Sequence, residues 1–389
     1  MKLLILSFYF RPDLSAGSFR TTALVDALLS ARDDLEIEII TTLPNRYSRF
    51  SPEAPEFEES GRLRVTRIAL PGHQSGMLDQ AVAFLHFARR VRRLTRRRRY
   101  DLVYASSSRL MTAVLGAQIA RRARIPLYLD IRDIFSDTIG DVLPRIALFA
   151  KPVFDRLERR TVAAAASVNL VSEGFREHFE ARNAAKRFTY FTNGIDDEFL
   201  DHPLSAPAAS TGRPMVILYA GNIGEGQGLH RIVPDLAKRL AGRAVLRIVG
   251  DGGRRARLET ALEEARVGNA EIVGPMGRAE LIGEYEMADV LFLHLNDYPA
   301  FRKVLPSKLF EYAATGRPIL AGIAGYSAQF ASQHVENCAV FPPCDGAAAE
   351  AALLRLRLGN TNRANFCANF ARRTIMARMA SDILAQAQA

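Results

Sequence analysis

The chain has 389 residues, 48% hydrophobic and 24% charged, a size and composition that suit two folded domains and exclude a disordered or low-complexity protein. Its formal charge of +10 points to a negatively charged partner such as phosphate, nucleic acid or an anionic lipid surface. No apolar stretch reaches the ~20 residues of a bilayer span, and Cys338, Cys344 and Cys367 lack metal-ligand spacing with histidine and cannot all pair, so structural thiols in a reducing compartment are expected.

Short apolar runs alternate with longer amphipathic ones. Met1–Ser7 is short, carries Lys2 and runs into Arg11-Pro12-Asp13, so it reads as the start of a buried strand over Leu3–Phe8 and not as an export signal. A helix follows over Gly17–Ser30, with Leu24, Ala27 and Leu28 on one face. Further strands are expected at Glu36–Thr41, Arg64–Ala69, Leu102–Ala105, Leu127–Leu129 and Ser167–Val171, separated by helical segments such as Leu110–Arg121. The pattern breaks over Asn193–Pro214, where Pro203, Pro207, Gly212 and Pro214 give linker composition. It resumes with strands at Met215–Tyr219, Val245–Val249, Glu271–Val273, Val290–Leu293 and Ile319–Ala321. The helices between them are Gly228–Leu240, Arg254–Ala265, Ala279–Met287 and Leu309–Ala314, and Asn365–Ala387 also reads as helical. This alternation implies an α/β fold of two doubly wound parallel sheets with right-handed crossovers and a ligand cleft between the domains. The expected division is 1–195, 196–365 and 366–389.

Four strings carry candidate chemistry. In Phe10–Arg20, Gly17 and Ser18 open the first helix, whose N-terminus favours an anion; the alternative is a plain strand–helix turn. Tyr219–Leu229 packs four glycines into Gly221–Gly228, a bare backbone able to wrap a diphosphate around Asn222, Gly224, Gln227 and Gly228; the alternative is a flexible loop. Val249-Gly250-Asp251-Gly252-Gly253 closes a strand and opens a helix, a common feature of α/β folds. In Phe301–Pro318, Pro306 suits the first turn of a helix and puts Ser307 and Lys308 at its positive end. Glu311, one turn on, either accepts hydrogen bonds from ribose hydroxyls or pairs with Lys308 at the surface. His294, at a strand end, either approaches a sugar or base or is simply packed.

In combination these residues resemble the retaining GT-B glycosyltransferases of family 4. The resemblance runs through Thr192-Asn193-Gly194-Ile195-Asp196, Tyr219–Gly224, Ile248–Gly252 and Pro306–Tyr312 with Gly316-Arg317-Pro318, and more loosely through Arg11–Arg20 and Asp130-Ile131-Arg132-Asp133. The Asn222-Ile223-Gly224 and Pro306–Tyr312 forms look most like the subgroup adding N-acetylated amino sugars to bacterial surface polysaccharides. The resemblance implies two Rossmann-like domains and a UDP-sugar donor. Glu311 would hold the ribose; the Gly221–Gly228 loop and the start Pro306, Ser307, Lys308, Leu309 would hold the diphosphate, and Gly250 and Asp251 would be substrate-binding. Pro275 and Met276, in Val273–Met276, would lie against the base, Gly17 would face the diphosphate from the first domain, and the final helix would cross back onto that domain. Members often carry Glu-x7-Glu, where this chain has Lys303 before Glu311, and an Arg and a Lys where it has Asn222 and Gln227. Arg302, Lys303 and Lys308 would then supply the cations that stabilise the leaving diphosphate, with no metal and no other cofactor. Asp133 would orient or deprotonate the acceptor hydroxyl, unless Asp130, Arg132 and Asp133 form a structural network or helix cap. Asp137 and Asp141 are further acidic candidates.

Eight arginines fall within Arg89–Arg99, after Leu78, Ala81, Phe84, Leu85 and Ala88 at helical spacing. Such a helix either lies on an anionic membrane, near a lipid-linked glycan acceptor, or packs on its sheet with solvated arginines. The expected location is the inner face of the cell membrane, peripheral and cytoplasmic. Rival readings are a sugar-nucleotide epimerase of GT-B architecture, an inactive scaffold and a nucleic-acid-binding protein. For the last, zinc-ligand spacing, RNP-like aromatics and a helix-turn-helix pattern are missing, so no specific nucleic acid is expected.

Overall fold

Leu3, Leu4, Ile5 and Leu6 are all fully buried, as expected for a central parallel strand covered on both faces. The computed structural model describes residues 1–13, 15–44, 53–71, 77–107, 110–134, 144–200 and 212–387. They divide into unit 1, Met1–Asn193 with Arg372–Ala389, and unit 2, Gly194–Ala371.

Unit 1 runs β1 (Lys2–Leu6), α1 (Ala16–Ala31), β2 (Glu36–Thr42), β3 (Phe57–Ser60), β4 (Leu63–Ile68), α2 (Met77–Thr95), β5 (Leu102–Ser106), α3 (Leu110–Ala123), β6 (Leu127–Ile131), α4 (Pro144–Ala164), β7 (Ser167–Leu170), α5 (Arg176–Glu180) and β8 (Phe188–Thr189). Among the described residues its sheet has the order β3-β4-β2-β1-β5-β6-β7-β8, parallel except for the β3–β4 pair. Ser15 caps α1 through its hydroxyl, which accepts from the Ser18 N–H at 3.1 Å.

Unit 2 runs α6 (Asp197–Leu200), β9 (Met215–Ala220), α7 (Leu229–Arg239), β10 (Ala244–Val249), α8 (Arg255–Ala265), β11 (Ala270–Val273), α9 (Arg278–Met287), β12 (Val290–His294), α10 (Ser307–Ala314), β13 (Ile319–Gly322), α11 (Tyr326–His334), β14 (Cys338–Phe341), α12 (Gly346–Leu353) and α13 (Ala364–Phe370). Its six described strands are parallel, in the order β11-β10-β9-β12-β13-β14. Strand order therefore reverses between β9 and β12, and ligands of such sheets bind beyond the carboxyl ends of the strands at that reversal.

Three expectations change. The segment Asn365–Ala387 is broken at Ala371, which has φ −55° and ψ 123°; α13 stays in unit 2 while α14 (Arg372–Gln386) belongs to unit 1 and packs on α1. No Gly or Pro marks the break. A tertiary hydrogen bond from Ile195 N–H to the Phe370 carbonyl, 2.8 Å, and a bridge between Ile195 and Ala371 hold it open. The strands β3, β8 and β14 and the helices α11 and α12 are additions to the expected elements, while β4 falls on the expected strand Arg64–Ala69. On α2 the buried face is Phe84, Phe87, Ala88 and Val91, while Leu85 and Val82 are about half exposed.

Candidate functional site

The loops after β9 and β12 meet at the reversal point of unit 2 and are stitched together. Asn296 N–H donates to the Gly226 carbonyl at 2.8 Å, and Asn296 Nδ2 donates to the Glu225 carbonyl at 2.9 Å. Alongside, the β9 and β10 loops touch backbone to backbone. Gly250 has φ +147°, and a Cβ there would lie 1.9 Å from the Gly221 carbonyl oxygen. Only glycine fits, and the result is a floor of bare peptide groups with its helices' positive ends nearby. Asp251 contributes its carbonyl to Ile223 N–H (2.8 Å) and its carboxylate to Gly252 N–H (2.8 Å), so its visible role is to shape this floor.

The start of α10 rises over the same floor. No side chain caps it, Pro306 preceding the first turn in extended backbone, so the amides at Ser307 and Lys308 open a helix N-terminus without a capping group. A Cβ on Gly221 would sit 3.8 Å from Lys308 Cε, which places the lysine stem against the glycine loop. Lys308 Nζ donates to Glu311 Oε1 at 2.7 Å and to the Tyr285 hydroxyl at 3.1 Å, and the same hydroxyl donates to Glu311 Oε1. Burial, then the neighbouring Glu311 charge, pushes the Tyr285 phenol well above its ordinary value, which keeps it a neutral donor. Both donors crowd one oxygen of Glu311; among the described residues Oε2 accepts no hydrogen bond. The pair expected as the alternative for Lys308 and Glu311 thus exists, half sheltered from solvent. Leu309 is different. Its side chain is fully buried in the core and its N–H donates to the Pro306 carbonyl, so it anchors the helix instead of facing a ligand.

The two neutral residues of the glycine loop engage each other. Asn222 Nδ2 donates to Gln227 Oε1 at 2.9 Å, and that oxygen also accepts from Gly224 N–H at 3.2 Å. They brace the loop. A cation that the sequence did not single out lies beside them: Arg254, whose N–H donates to the Ile223 carbonyl and whose Nε pairs with Glu225. Burial pushes the Glu225 carboxyl up, but the Tyr298 hydroxyl (2.7 Å) and Arg254 outweigh it and hold it below its ordinary value. Arg302 is exposed and pairs with Asp297 at 3.0 Å; Lys303 is half-buried at the end of the turn Pro299–Arg302. Gly228, at φ +59°, ends the loop, and Pro275 and Met276 lie half-buried beyond β11. The Asp196 of the junction string pairs with Arg278 at the start of α9.

His294 is a correction. It is fully buried; Nε2 accepts from Cys344 N–H at 2.9 Å, which leaves Nδ1 as the donor to the Gln227 carbonyl at 2.6 Å. Burial pushes its pKa down to about 4. Both ring nitrogens are committed, so this neutral imidazole supports the loop from below and has no nitrogen for a sugar or base.

In unit 1, Gly17 and Ser18 are buried in the first turn of α1, and Ser18 N–H is taken by Ser15. Asp130 is a structural hub. Arg20 binds it through Nε and Nη2 at 2.8 and 2.9 Å, Tyr104 and Asn169 donate to it at 2.9 and 2.8 Å, and Arg20 also reaches the Phe191 and Thr192 carbonyls at 2.7 Å. Its hydrogen-bonded ion partner is Arg20, while Arg132 acts on Asp130 and Asp133 through its charge. Asp133 lies exposed just past β6. Asp137 and Asp141 lie outside the described residues.

Two family descriptions match the chain: "Glycosyl transferase 4-like domain" over residues 18–194 and "Glycosyl transferases group 1" over residues 214–357. A 128-residue stretch is 34% identical to the putative colanic acid biosynthesis glycosyl transferase WcaI of Escherichia coli K12, covering 33% of this chain and 30% of that one. The matched stretch thus spans under a third of the curated relative. Solved structures with a similar fold include sucrose-phosphate synthase from Thermosynechococcus elongatus (TM-score 0.71, 17% identity, 100% of this chain and 96% of that one). Others are Anabaena HepE in complex with UDP (0.59, 16%, 100% and 98%) and WaaG, a glycosyltransferase involved in lipopolysaccharide biosynthesis (0.63, 13%, 99% and 97%). With both halves matched and the GT-B fold shared along its length, the chain belongs to the family 4 glycosyltransferases.

Proposed function

We propose that the protein is a metal-independent retaining glycosyltransferase that moves a sugar, an N-acetylated hexosamine or its 6-deoxy form, from a UDP-sugar to a lipid-linked glycan or polysaccharide precursor. The observation that carries this reading is Glu311: one carboxylate oxygen fixed by Lys308 and Tyr285, the other open, beside an uncapped helix start and a glycine floor. A ribose hydroxyl donating to Oε2 places the diphosphate over the floor and the α10 amides, where backbone dipoles and Lys308 favour negative charge. Support comes from a fold shared with a UDP-bound structure and from the colanic acid biosynthesis description of WcaI.

In the reaction the bond from the anomeric carbon to the diphosphate oxygen breaks and a bond to the acceptor oxygen forms on the same face. The acceptor proton passes to the departing diphosphate, with Asp133 orienting the hydroxyl. Catalysis then rests on the charge developing on the leaving group, met by Lys308, Lys303 and the helix start, with Arg302 and Arg254 nearby. The acceptor would sit at the inner face of the membrane, held peripherally by α2, where half-exposed Val82 and Leu85 adjoin the arginines. No described helix is long and apolar enough to cross a membrane.

The test supplies UDP-N-acetylhexosamines with and without an isolated lipid-linked acceptor fraction, in chelator. Acceptor-dependent UDP release with an anomerically retained product supports the proposal. Conversion of the donor sugar without acceptor would instead identify an epimerase.

A further inference from the structure

A second site lies in unit 1, independent of the donor reading. A cavity of about 330 Å³ opens between the end of β4 and α2, within the size range of small-ligand pockets. Its lining includes Arg67, His86, Arg89, Arg90, Arg93 and a single carboxylate, Glu56. Residues 86, 89, 90 and 93 share one helix face by spacing, so α2 presents three guanidiniums to the same hollow.

The arginine tract is thereby divided. Arg98 is committed to buried Glu38, and Arg92 donates to Gln118 at 2.6 Å. Arg96 and Arg97 are exposed outside the cavity. Among the described residues, Arg89, Arg90 and Arg93 make no ion pair. The cavity wall is built, too. Arg67 is almost wholly buried, its Nη atoms held by the Pro55 and Arg11 carbonyls and by Glu58 at 2.8 Å, while its buried Nε has no partner among the described residues. A surplus of fork-shaped donors around a walled hollow is the chemistry that recognises phosphate oxygens bidentately.

We propose that this cavity is an anion site that takes a phosphate or diphosphate group, either the head of a lipid or a free phosphorylated sugar. Arg89, Arg90 and Arg93 bind the oxygens, and Arg67 forms the rigid back wall.

The experiment is arginine modification by a phenylglyoxal reagent on the full chain, mapped by mass spectrometry, so that each arginine reports separately. Inorganic pyrophosphate should slow modification of Arg89, Arg90 and Arg93 and leave Arg96 and Arg97 unchanged. In the variant Arg89→Gln/Arg93→Gln the pyrophosphate needed to protect Arg90 should rise about tenfold, the loss expected for removing charge-assisted hydrogen bonds, while Arg96→Gln/Arg97→Gln should behave as the parent. Phosphatidylcholine vesicles with and without phosphatidylglycerol separate the sources. Selective protection of the three cavity arginines by the anionic vesicles assigns a lipid head; protection by pyrophosphate alone assigns a free phosphate. Protection spread evenly over residues 89–97, or none at all, overturns the site and leaves a diffuse basic surface.

Discussion

Arg20–Asp130 in unit 1 and Lys308–Glu311 in unit 2 are both cation–carboxylate pairs near the carboxyl ends of a parallel sheet, at 2.8 and 2.7 Å. The first is wholly buried, and each carboxylate oxygen has one donor from α1 and one from a neighbouring strand. The second is 28% and 17% exposed, with both of its donors on one oxygen. A satisfied, dry pair has nothing left for a ligand, and removing one member strands a charge in the interior. A half-wet pair with an open oxygen is cheap to disturb and ready to bind. The same chemistry thus makes scaffold in one unit and a site in the other, and burial with satisfaction decides which.

The largest effect that would break this contrast is Asp130→Ala. Leaving Arg20 buried and unpaired should cost about 3–5 kcal/mol and lower the melting of unit 1 by on the order of 10 °C. A melting curve superimposable on the parent would show the hub to be dispensable.

Next comes acid. His294 has its folded pKa near 4, below the ordinary value of 6.5, so between those limits the unfolded chain binds the extra proton. Stability should be unaffected by this group above about pH 6.5 and should fall by roughly 3 kcal/mol as pH drops to 4. Denaturant titrations at stepped pH should show that slope flattened in His294→Gln; an unchanged slope would deny the buried imidazole its role beneath the glycine loop.

Gly250→Ala puts a Cβ into the Gly221 carbonyl at a positive φ, and should destabilise unit 2 by about 1–3 kcal/mol. Full melting stability with lost nucleotide binding would show that the loops part instead. Smallest is Tyr285→Phe, which removes one donor to Glu311 Oε1 and should weaken nucleotide binding by about threefold to tenfold, the worth of one hydrogen bond. A larger loss would mean that Tyr285 orients the carboxylate alone.

Much of the fold was legible in the sequence because parallel strands such as Leu3–Leu6 are continuous apolar runs between amphipathic helices. The glycine loop and Pro306–Glu311 were legible because glycine runs and a proline-started helix announce local backbone demands. What stayed hidden was long-range. The Glu225–Arg254–Tyr298 brace joins residues up to 73 apart in sequence, and each alone is an ordinary polar residue. His294 carried no local sign that Cys344 and Gln227 would occupy its two nitrogens. The break at Ala371 depends on Ile195, and the division of the arginine tract depends on Glu38, Gln118 and the β4 end. Asp130 and Asp133, three apart, look alike in sequence and separate only when Arg20 closes on one of them.

The most direct test is a calorimetric titration of the full chain with UDP, GDP, ADP and CMP, repeated with Glu311→Ala beside a melting curve of each protein. Selective UDP binding that weakens at least about tenfold in the variant, with melting nearly unchanged, is the expected result. UDP affinity indifferent to Glu311, in a variant that melts like the parent, would contradict the ribose assignment and with it the distinction between the two pairs.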